Sequence, residues 1–479
     1  MEKNIRIALV FSIFLILLGM MQFTVPQIIG FDGYYNIKAA KIIKESGFVK
    51  EGIAPENTIL ADNYADIQIL FRILLIPFTF LGLELGAKIA AVLFGAIAFS
   101  AFYWFLLQNN IKYSFFWSML YLVTSEALMY RFMLPRQMPL AISLLILTIY
   151  FLQNRRYYLL SFTVLAHVLL HSSFVFQFLV IGLYFIFEKI FSKKIEYYPI
   201  LCSVIGLIAG LIFNPYFPNN VVMTYLQISK VNLIGNLYNV EWKAWIFIDF
   251  VKNNILVLIY FAIIALAIFK AKKISKDKLF FLVLALFFFV YAILARRMQE
   301  YLVPFLVIAL ALILNDYLQI FCENGLFGKL KYAAIMVLII VAGINFAILR
   351  EDIRDNTFLH NFKNCSGWIS NNVPKNSLIF VNAYAFSYLF FYNSEVKYTH
   401  GIDLAYSYLH DDDRFKRYIR ILQGTLKSDV DYIIKDYNPD YLFSGKVEQD
   451  AQLFNYIVAH KKNYKAVYED KWCAVLKVK

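Results

Sequence analysis

Asp32 stands in the run GFDGYYNIKAAKIIKESGF, the first polar stretch after an apolar N-terminal segment. A carboxylate there has two uses: it takes a proton from a hydroxyl as a general base, or it caps the helix that the next residues begin. A second group is ARRMQEYLVPF, which inserts Arg296, Arg297 and Glu300 between two apolar runs with almost no connecting loop. Charges so close to hydrocarbon cost several kcal/mol unless they are paired or face a wet cavity. Guanidinium groups in that position fork to a phosphate and stabilise it as it leaves, or form a structural pair with Glu300 or Asp32. Arg136, in MYRFMLPRQMP, falls at the turn between two further apolar runs, with Arg131 and Glu126 just before it. Glu241, in GNLYNVEWKAW, is another carboxylate outside the apolar runs and competes with Asp32 for the role of base. Trp242 and Trp245 beside it suit either an interfacial aromatic belt or stacking on a sugar ring.

Asp62 and Asp66 are four apart in ADNYADIQILFRILLIPF, near Arg72. On a helix they share a face. There they form an ion pair with the arginine, hold a divalent cation such as Mg or Mn, or orient an acceptor. His171, in LAHVLLHSSFVF, lies at a predicted helix break beside Ser172 and Ser173, placed either as a satisfied core histidine or to bind a phosphate or sugar hydroxyl. Asn214 opens the turn-rich stretch NPYFPNN, and Tyr35 is an aromatic one turn into the segment that Asp32 begins. The four cysteines show no metal-ligand spacing. A Cys365 to Cys473 disulfide is open to a domain outside the cell, free thiols being the simpler reading.

The elements that position these residues are membrane spans. With 61% hydrophobic and only 16% charged residues in 479, the chain carries more apolar side chain than a soluble core of this length hides. The net charge of +13 is not a nucleic-acid footprint, because Lys and Arg fall mainly in short segments between apolar runs. About eleven runs can be placed, at roughly 6 to 23, 85 to 107, 114 to 130, 138 to 153, 159 to 170, 174 to 190, 198 to 213, 248 to 269, 279 to 295, 299 to 315 and 331 to 349. With a cytoplasmic N-terminus, Lys112, Arg155, Arg156, Lys189, Lys193, Lys194, the KAKKISKDK run, Lys329 and Lys331 all fall inside. Arg131, Arg136, Arg296 and Arg297 are the exceptions, placed at outer helix ends where insertion does not explain positive charge. Leu70 to Leu83, interrupted by Arg72 and Pro77, reads as a re-entrant or interfacial segment, since counting it as a span would put the basic loops outside.

Two large outside segments result, about 24 to 84 and about 214 to 247. In the first, Asp32 begins a helix of about thirteen residues that Gly47 ends and that rests on the membrane surface through Tyr35, Ala39, Ile42 and Ile43. After Arg350, GWISNNVP, SLIFVNAYAF, DVDYIIKDYNPDYLF and YKAVYEDKWCAVLKV read as short strands and helices. The expected organisation is a polytopic α-helical domain over 1–350 and a small extracytoplasmic α/β domain over 351–479.

A first span, then an external Asp followed by aromatics, a helix and a Gly, resembles the opening of GT-C membrane glycosyltransferases, among them oligosaccharyltransferase catalytic subunits and protein mannosyltransferases. GWISNNVP is similar to the start of the oligosaccharyltransferase soluble domain, a helix entering a Pro turn before a buried strand. The resemblance implies a cell-membrane enzyme that transfers a sugar from a polyprenyl-phosphate carrier to a glycan, lipid or protein acceptor on the outer face. It implies Asp32 as base, Arg296 and Arg297 on the donor phosphate, and membrane lipid as the surroundings. The chain departs from oligosaccharyltransferases in lacking their Trp-Trp-Asp tripeptide. It also offers only Glu126 where they carry paired acidic residues in the second external loop, which favours metal-free transfer. Two other readings stand beside this one: transfer or polymerisation of a lipid-linked oligosaccharide, and a lipid or polysaccharide flippase without chemistry. The flippase is disfavoured by the absence of an internal repeat of the span pattern.

Overall fold

The computed structural model describes residues 3–479 except 50–52, 194–195, 232, 236–238, 272, 324–326, 356, 424, 426–429, 448–449 and 461. Helices occupy all eleven apolar stretches. Among the described residues six helical stretches are long and apolar enough to cross a membrane: Lys3–Gln22, Leu83–Gln108, Ser172–Ser192, Lys276–Leu294, Arg296–Tyr317 and Tyr332–Asn372, the apolar part of the last lying in the helix Phe327–Asp355. Two bent pairs raise this to eight if each is one span: Glu126–Met133 with Met138–Gln153, bent by 107°, and Phe247–Asn253 with Ile255–Lys270, bent by 79°. Ser114–Val123, Tyr157–Leu170 and Tyr198–Ile212 have 10, 14 and 15 residues. At about 1.5 Å per residue they fall short of a hydrocarbon core roughly 30 Å thick. Of the eleven expected spans, six to eight among the described residues therefore have the length and composition to cross, with shorter apolar helices among them. The run expected over 114 to 130 is two helices, because the chain turns extended at Ser125 and Glu126 opens a new one.

The Leu70 to Leu83 stretch forms the helix Ile69–Leu75 and the 3-10 turn Ile76–Leu81, with Pro77 at the junction. Arg72 is buried on its inner side, while Leu74 and Phe80 are exposed.

The helix that Asp32 begins runs Asp32–Ser46 and ends at Gly47, whose φ of 75° lies in the left-handed region open to glycine. It does not rest on a membrane surface. Tyr34, Asn36, Ile37, Ala39, Ala40 and Ile43 are all buried, because apolar residues occur on two of its sides. One side meets the bundle and the other the helix Ala383–Tyr392 of the C-terminal region. Tyr34 packs edge-on to Tyr388 and Phe391 at 5.0 and 5.3 Å, and Tyr35 lies against Phe386 and Phe390. One apolar cluster thus runs from the first loop into the C-terminal region.

That region holds a five-stranded mixed sheet built from β1 (Leu378–Phe380), β2 (Lys397–Tyr398), β3 (Tyr441–Gly445), β4 (Tyr464–Glu469) and β5 (Cys473–Val478), in the order β2-β1-β3-β5-β4. β1 runs parallel to β2 and β3, so helices cross over between them, whereas β3, β5 and β4 are antiparallel neighbours. The helix Lys363–Asn372 leads through Pro374 into β1. A boundary at 350 falls inside a helix, since Phe327–Asp355 is continuous. Cys365 and Cys473 are joined as a disulfide, against the simpler expectation of free thiols. It closes a separation of 108 residues and ties the entering helix to the last strand. Constraint of the unfolded chain by so long a loop contributes about 4 to 5 kcal/mol in the chain-entropy description.

Behind β1, His400 is fully buried, with Nδ1 bonded to Ser407 Oγ at 3.0 Å and its ring 3.8 Å from Tyr418. Its Nε2 has no partner among the described residues. Burial, with a smaller contribution from Arg414, pushes the imidazole down to about 3. The native state keeps this group neutral while the unfolded chain binds a proton below about pH 6.5, so its contribution to stability is complete above that pH and is lost progressively toward pH 3. Thermal unfolding across pH 4 to 7 should show a loss of up to about 1.4 kcal/mol per pH unit from this group, and His400→Gln should flatten that acid-side slope.

Candidate functional site

The segment Leu134 to Arg136 makes a corner between the two halves of the 107° bend, and the Asp32 helix grips it. Asn36 Nδ2 donates to the Pro135 carbonyl at 2.8 Å. Gly33 lies so close that an added Cβ would meet Pro135 Cγ at 2.8 Å and Ile28 Cγ2 at 2.6 Å. With the corner held, Arg136 turns its guanidinium to Asp32 as an ion pair of 2.5 Å. Asp32 is therefore not a helix cap: it is the first helical residue, and its carboxylate pairs with Arg136 through one oxygen.

From this pair a charge network extends across four stretches of chain. Arg136 also meets Glu241 at 3.3 Å, Arg131 meets Glu241 at 3.0 Å, and Arg131 pairs with Glu300. Glu300 is 1% exposed, so its partner is essential: an uncompensated charge there would cost roughly 3 to 5 kcal/mol. It pairs with Arg131 rather than with its neighbours Arg296 and Arg297. Those two stack instead on indoles, Arg296 on Trp245 and Arg297 on Trp242, each 4.6 Å from the ring. The tryptophans thus seat arginines as well as bordering the apolar zone. Backbone bonds from Trp245 N to the Ile293 carbonyl and from Arg296 N to the Lys243 carbonyl hold the two segments edge to edge. Neither Arg296 nor Arg297 makes an ion pair among the described residues.

Burial alone pushes the Glu241 carboxyl up, but Arg131, Arg136 and Arg297 outweigh it and hold the group well below the usual carboxylate range. Glu241 is ionised and a weak base, whereas Asp32 has one arginine and a side chain 25% exposed. His171 is under the electrostatic influence of Arg297 and Arg136. Its Nδ1 lies 2.7 Å from Ser173 Oγ and accepts from Ser173 N, capping the next turn.

The other residues singled out in the sequence lie elsewhere. Asp62 and Asp66 share no helix, since the chain is turn and coil from 59 to 68. Asp62 is exposed. Asp66 forms a buried pair with Arg72 at 3.1 Å, and Arg72 also bonds Asn36 and Gln68. Asn214 donates to the Asp66 carbonyl and accepts from Tyr216 N, and Tyr35 lies under the Arg72 guanidinium at 5.2 Å. None of the five makes an ion pair with the arginine cluster, but Arg72 is linked to it through Asn36, whose other bond holds the Pro135 corner beside Arg136. Arg131 is the site residue whose role the sequence did not define: it was legible only as a charge against the topology. Glu126, expected to lack an acidic partner, hydrogen-bonds Asp352 in the last turn of the helix Phe327–Asp355. A polar cavity of about 400 Å³, lined by Gln108, Asn154, Arg155, Tyr184, Glu188 and Lys276 among others, shares no residue with the cluster.

No known family's sequence pattern matches the chain, and no curated protein matches it. Solved structures do. The oligosaccharyltransferase of Archaeoglobus fulgidus in its apo form superposes with a TM-score of 0.64 at 11% identity, over 95% of this chain and 73% of that one. The same organism's oligosaccharyltransferase AglB, in complex with an inhibitory peptide and a dolichol-phosphate, gives 0.61 at 10% identity over 95% and 72%. ArnT from Cupriavidus metallidurans, bound to undecaprenyl phosphate, gives 0.59 at 11% identity over 99% and 98%. The chain has the fold of the GT-C membrane glycosyltransferases over nearly its whole length.

If close approach at Gly33 sets the Asp32 to Arg136 pair, Gly33→Ala should destabilise the protein by about 1 to 3 kcal/mol. Gly19→Ala, with nothing within 4 Å of an added Cβ, should have little effect. Parallel thermal unfolding of the two variants checks this.

Proposed function

We propose that the chain is an inverting membrane glycosyltransferase that moves a sugar from a polyprenyl-phosphate donor to an acceptor hydroxyl on the outer face of the membrane. The observation that carries this is the convergence of Asp32, Arg136, Glu241, Arg131 and Glu300, from four separate stretches, beside two arginines seated on tryptophans. The similar structures described with dolichol-phosphate and undecaprenyl phosphate support a lipid phosphate as the donor's leaving group.

Asp32 is the base in this mechanism. Its carboxylate takes the acceptor O–H proton as the hydroxyl oxygen forms a bond to the anomeric carbon. The bond from that carbon to the phosphate oxygen breaks, and the lipid phosphate leaves with the electron pair. Arg296 and Arg297, stacked but not ion-paired, present N–H donors to the developing phosphate charge. Glu241 is a positioning residue, because it keeps Arg131 and Arg136 in place and is too acidic to accept a proton efficiently near neutral pH. The C-terminal region, packed on the Asp32 helix, helps to bind the acceptor.

A divalent cation does not fit the central donor set. Asp32, Glu241 and Glu300 each already meet a guanidinium, so a dication would face Arg131, Arg136 and Arg297 at close range. The mechanism is therefore written without one. A second reading, transfer of a lipid-linked oligosaccharide, uses the same residues but needs a larger acceptor groove; the fit to the archaeal oligosaccharyltransferase supports it.

Asp32→Asn should lower transfer from lipid-linked sugar donors by about 10² to 10⁴-fold, well beyond what its lower thermal stability accounts for, since Arg136 loses one of its two carboxylates but keeps Glu241 and the protein still folds. Full activity of a folded Asp32→Asn protein would overturn the assignment of the base. Activity of the parent should also survive chelation of divalent ions, and a strict requirement for added Mg or Mn would overturn the metal-free reading.

A further inference from the structure

The segment from 213 to 248, which carries Glu241, Trp242 and Trp245, has a second face. Val222, Tyr225, Leu233, Ile246, Phe247 and Ile248 are between 58% and 78% exposed. Water does not favour six large apolar side chains, each more than half exposed, on one connecting segment, and apolar exposure on this scale marks a binding surface. Two observations indicate what covers it. First, Phe247–Asn253 bends by 79° from the apolar helix Ile255–Lys270. If that helix stands along the membrane normal, Phe247–Asn253 lies nearly in the membrane plane. Second, the segment follows directly in the chain on the apolar helix Tyr198–Ile212, where Ile205, Ile208 and Ile212 are each about half exposed.

We propose that the described residues of 213–248 form a flap embedded in the lipid leaflet on the side of the charge cluster, so that the partner of this surface is the bilayer itself. The flap then has two working faces. Its outer face dissolves in acyl chains at the depth where helices lie flat with their apolar side down. Its inner face presents Glu241 to Arg131 and Arg136 and seats the two following arginines on Trp242 and Trp245. The bonds from Trp245 N and to the Lys243 carbonyl fasten it to the end of Lys276–Leu294. Lipid on one face and charge on the other fix the height of the clamp relative to the membrane.

The test is independent of any transfer activity. In the full chain with Cys202→Ser, spin labels are placed at Val222→Cys, Tyr225→Cys and Phe247→Cys, one at a time, and the protein is reconstituted in phosphatidylglycerol and phosphatidylethanolamine liposomes. Collision with dissolved oxygen and with a water-soluble nickel chelate is compared with two references. These are Phe269→Cys, 91% exposed on an apolar helix, and the exposed Asp62→Cys. The proposal expects all three labels to favour oxygen over nickel several-fold, as at Phe269. Nickel accessibility like that at Asp62 would overturn it. Labels immobilised and shielded from both reagents would also overturn it, showing that a protein surface or a second copy of the chain covers the patch. Three sites, two on the helix Asn219–Leu226 and one on Phe247–Asn253, keep the test decisive if one variant fails to fold.

Discussion

A buried guanidinium at the end of a helical bundle must be neutralised where it stands, and this constraint organises the site. Arg131 and Arg136 flank a corner that the backbone turns by 107°, and neither has an acidic neighbour on its own side of that corner within reach. Their partners come from the first loop, from the segment before the Phe247–Asn253 helix, and from the start of the Arg296–Tyr317 helix. Two guanidinium groups, Arg131 and Arg136, pair with three carboxylates, with the stacked Arg296 and Arg297 beside them, and the carboxylates differ in what they leave free. Glu300 is sealed, Glu241 is over-supplied with arginines, and Asp32 keeps one partner and some exposure to the outside. That gradient sets three carboxyl groups of the same chemistry in three different surroundings.

The scaffold under the cluster is made by packing rather than by further charge. Gly33 and Asn36 press the first-loop helix onto the Pro135 corner, and Tyr34 and Tyr35 on its far sides carry the C-terminal region. The Asp66 to Arg72 pair, only a few per cent exposed at each side chain, locks the next part of the loop beneath the same region. The C-terminal sheet therefore bears on the site through one helix, and its own integrity is reinforced by the disulfide between the entering helix and the final strand.

Several residues were legible in the sequence and were placed together by the fold for reasons the sequence carries. Arg131, Arg136, Arg296 and Arg297 stand out as positive charge on the wrong side of the insertion bias, and all four lie in or beside the cluster. Asp32 stands out by its place after the first apolar run. Asp62 and Asp66, by contrast, were attractive through a four-residue spacing that matters only on a helix, and the chain there is turn and coil. Glu126 seemed single because its partner Asp352 is more than two hundred residues away.

Composition, hydropathy and charge bias determined by themselves that the chain is a bundle of apolar helices with a mixed C-terminal region, because those properties are sums over local residues. They also determined which charges needed an explanation. Which carboxylate neutralises which arginine, which helices are long enough to cross, and whether Cys365 meets Cys473 were decided only in three dimensions. Each of those depends on contacts between segments distant along the chain, and the energy of a buried pair is set by the few ångströms that tertiary packing brings about.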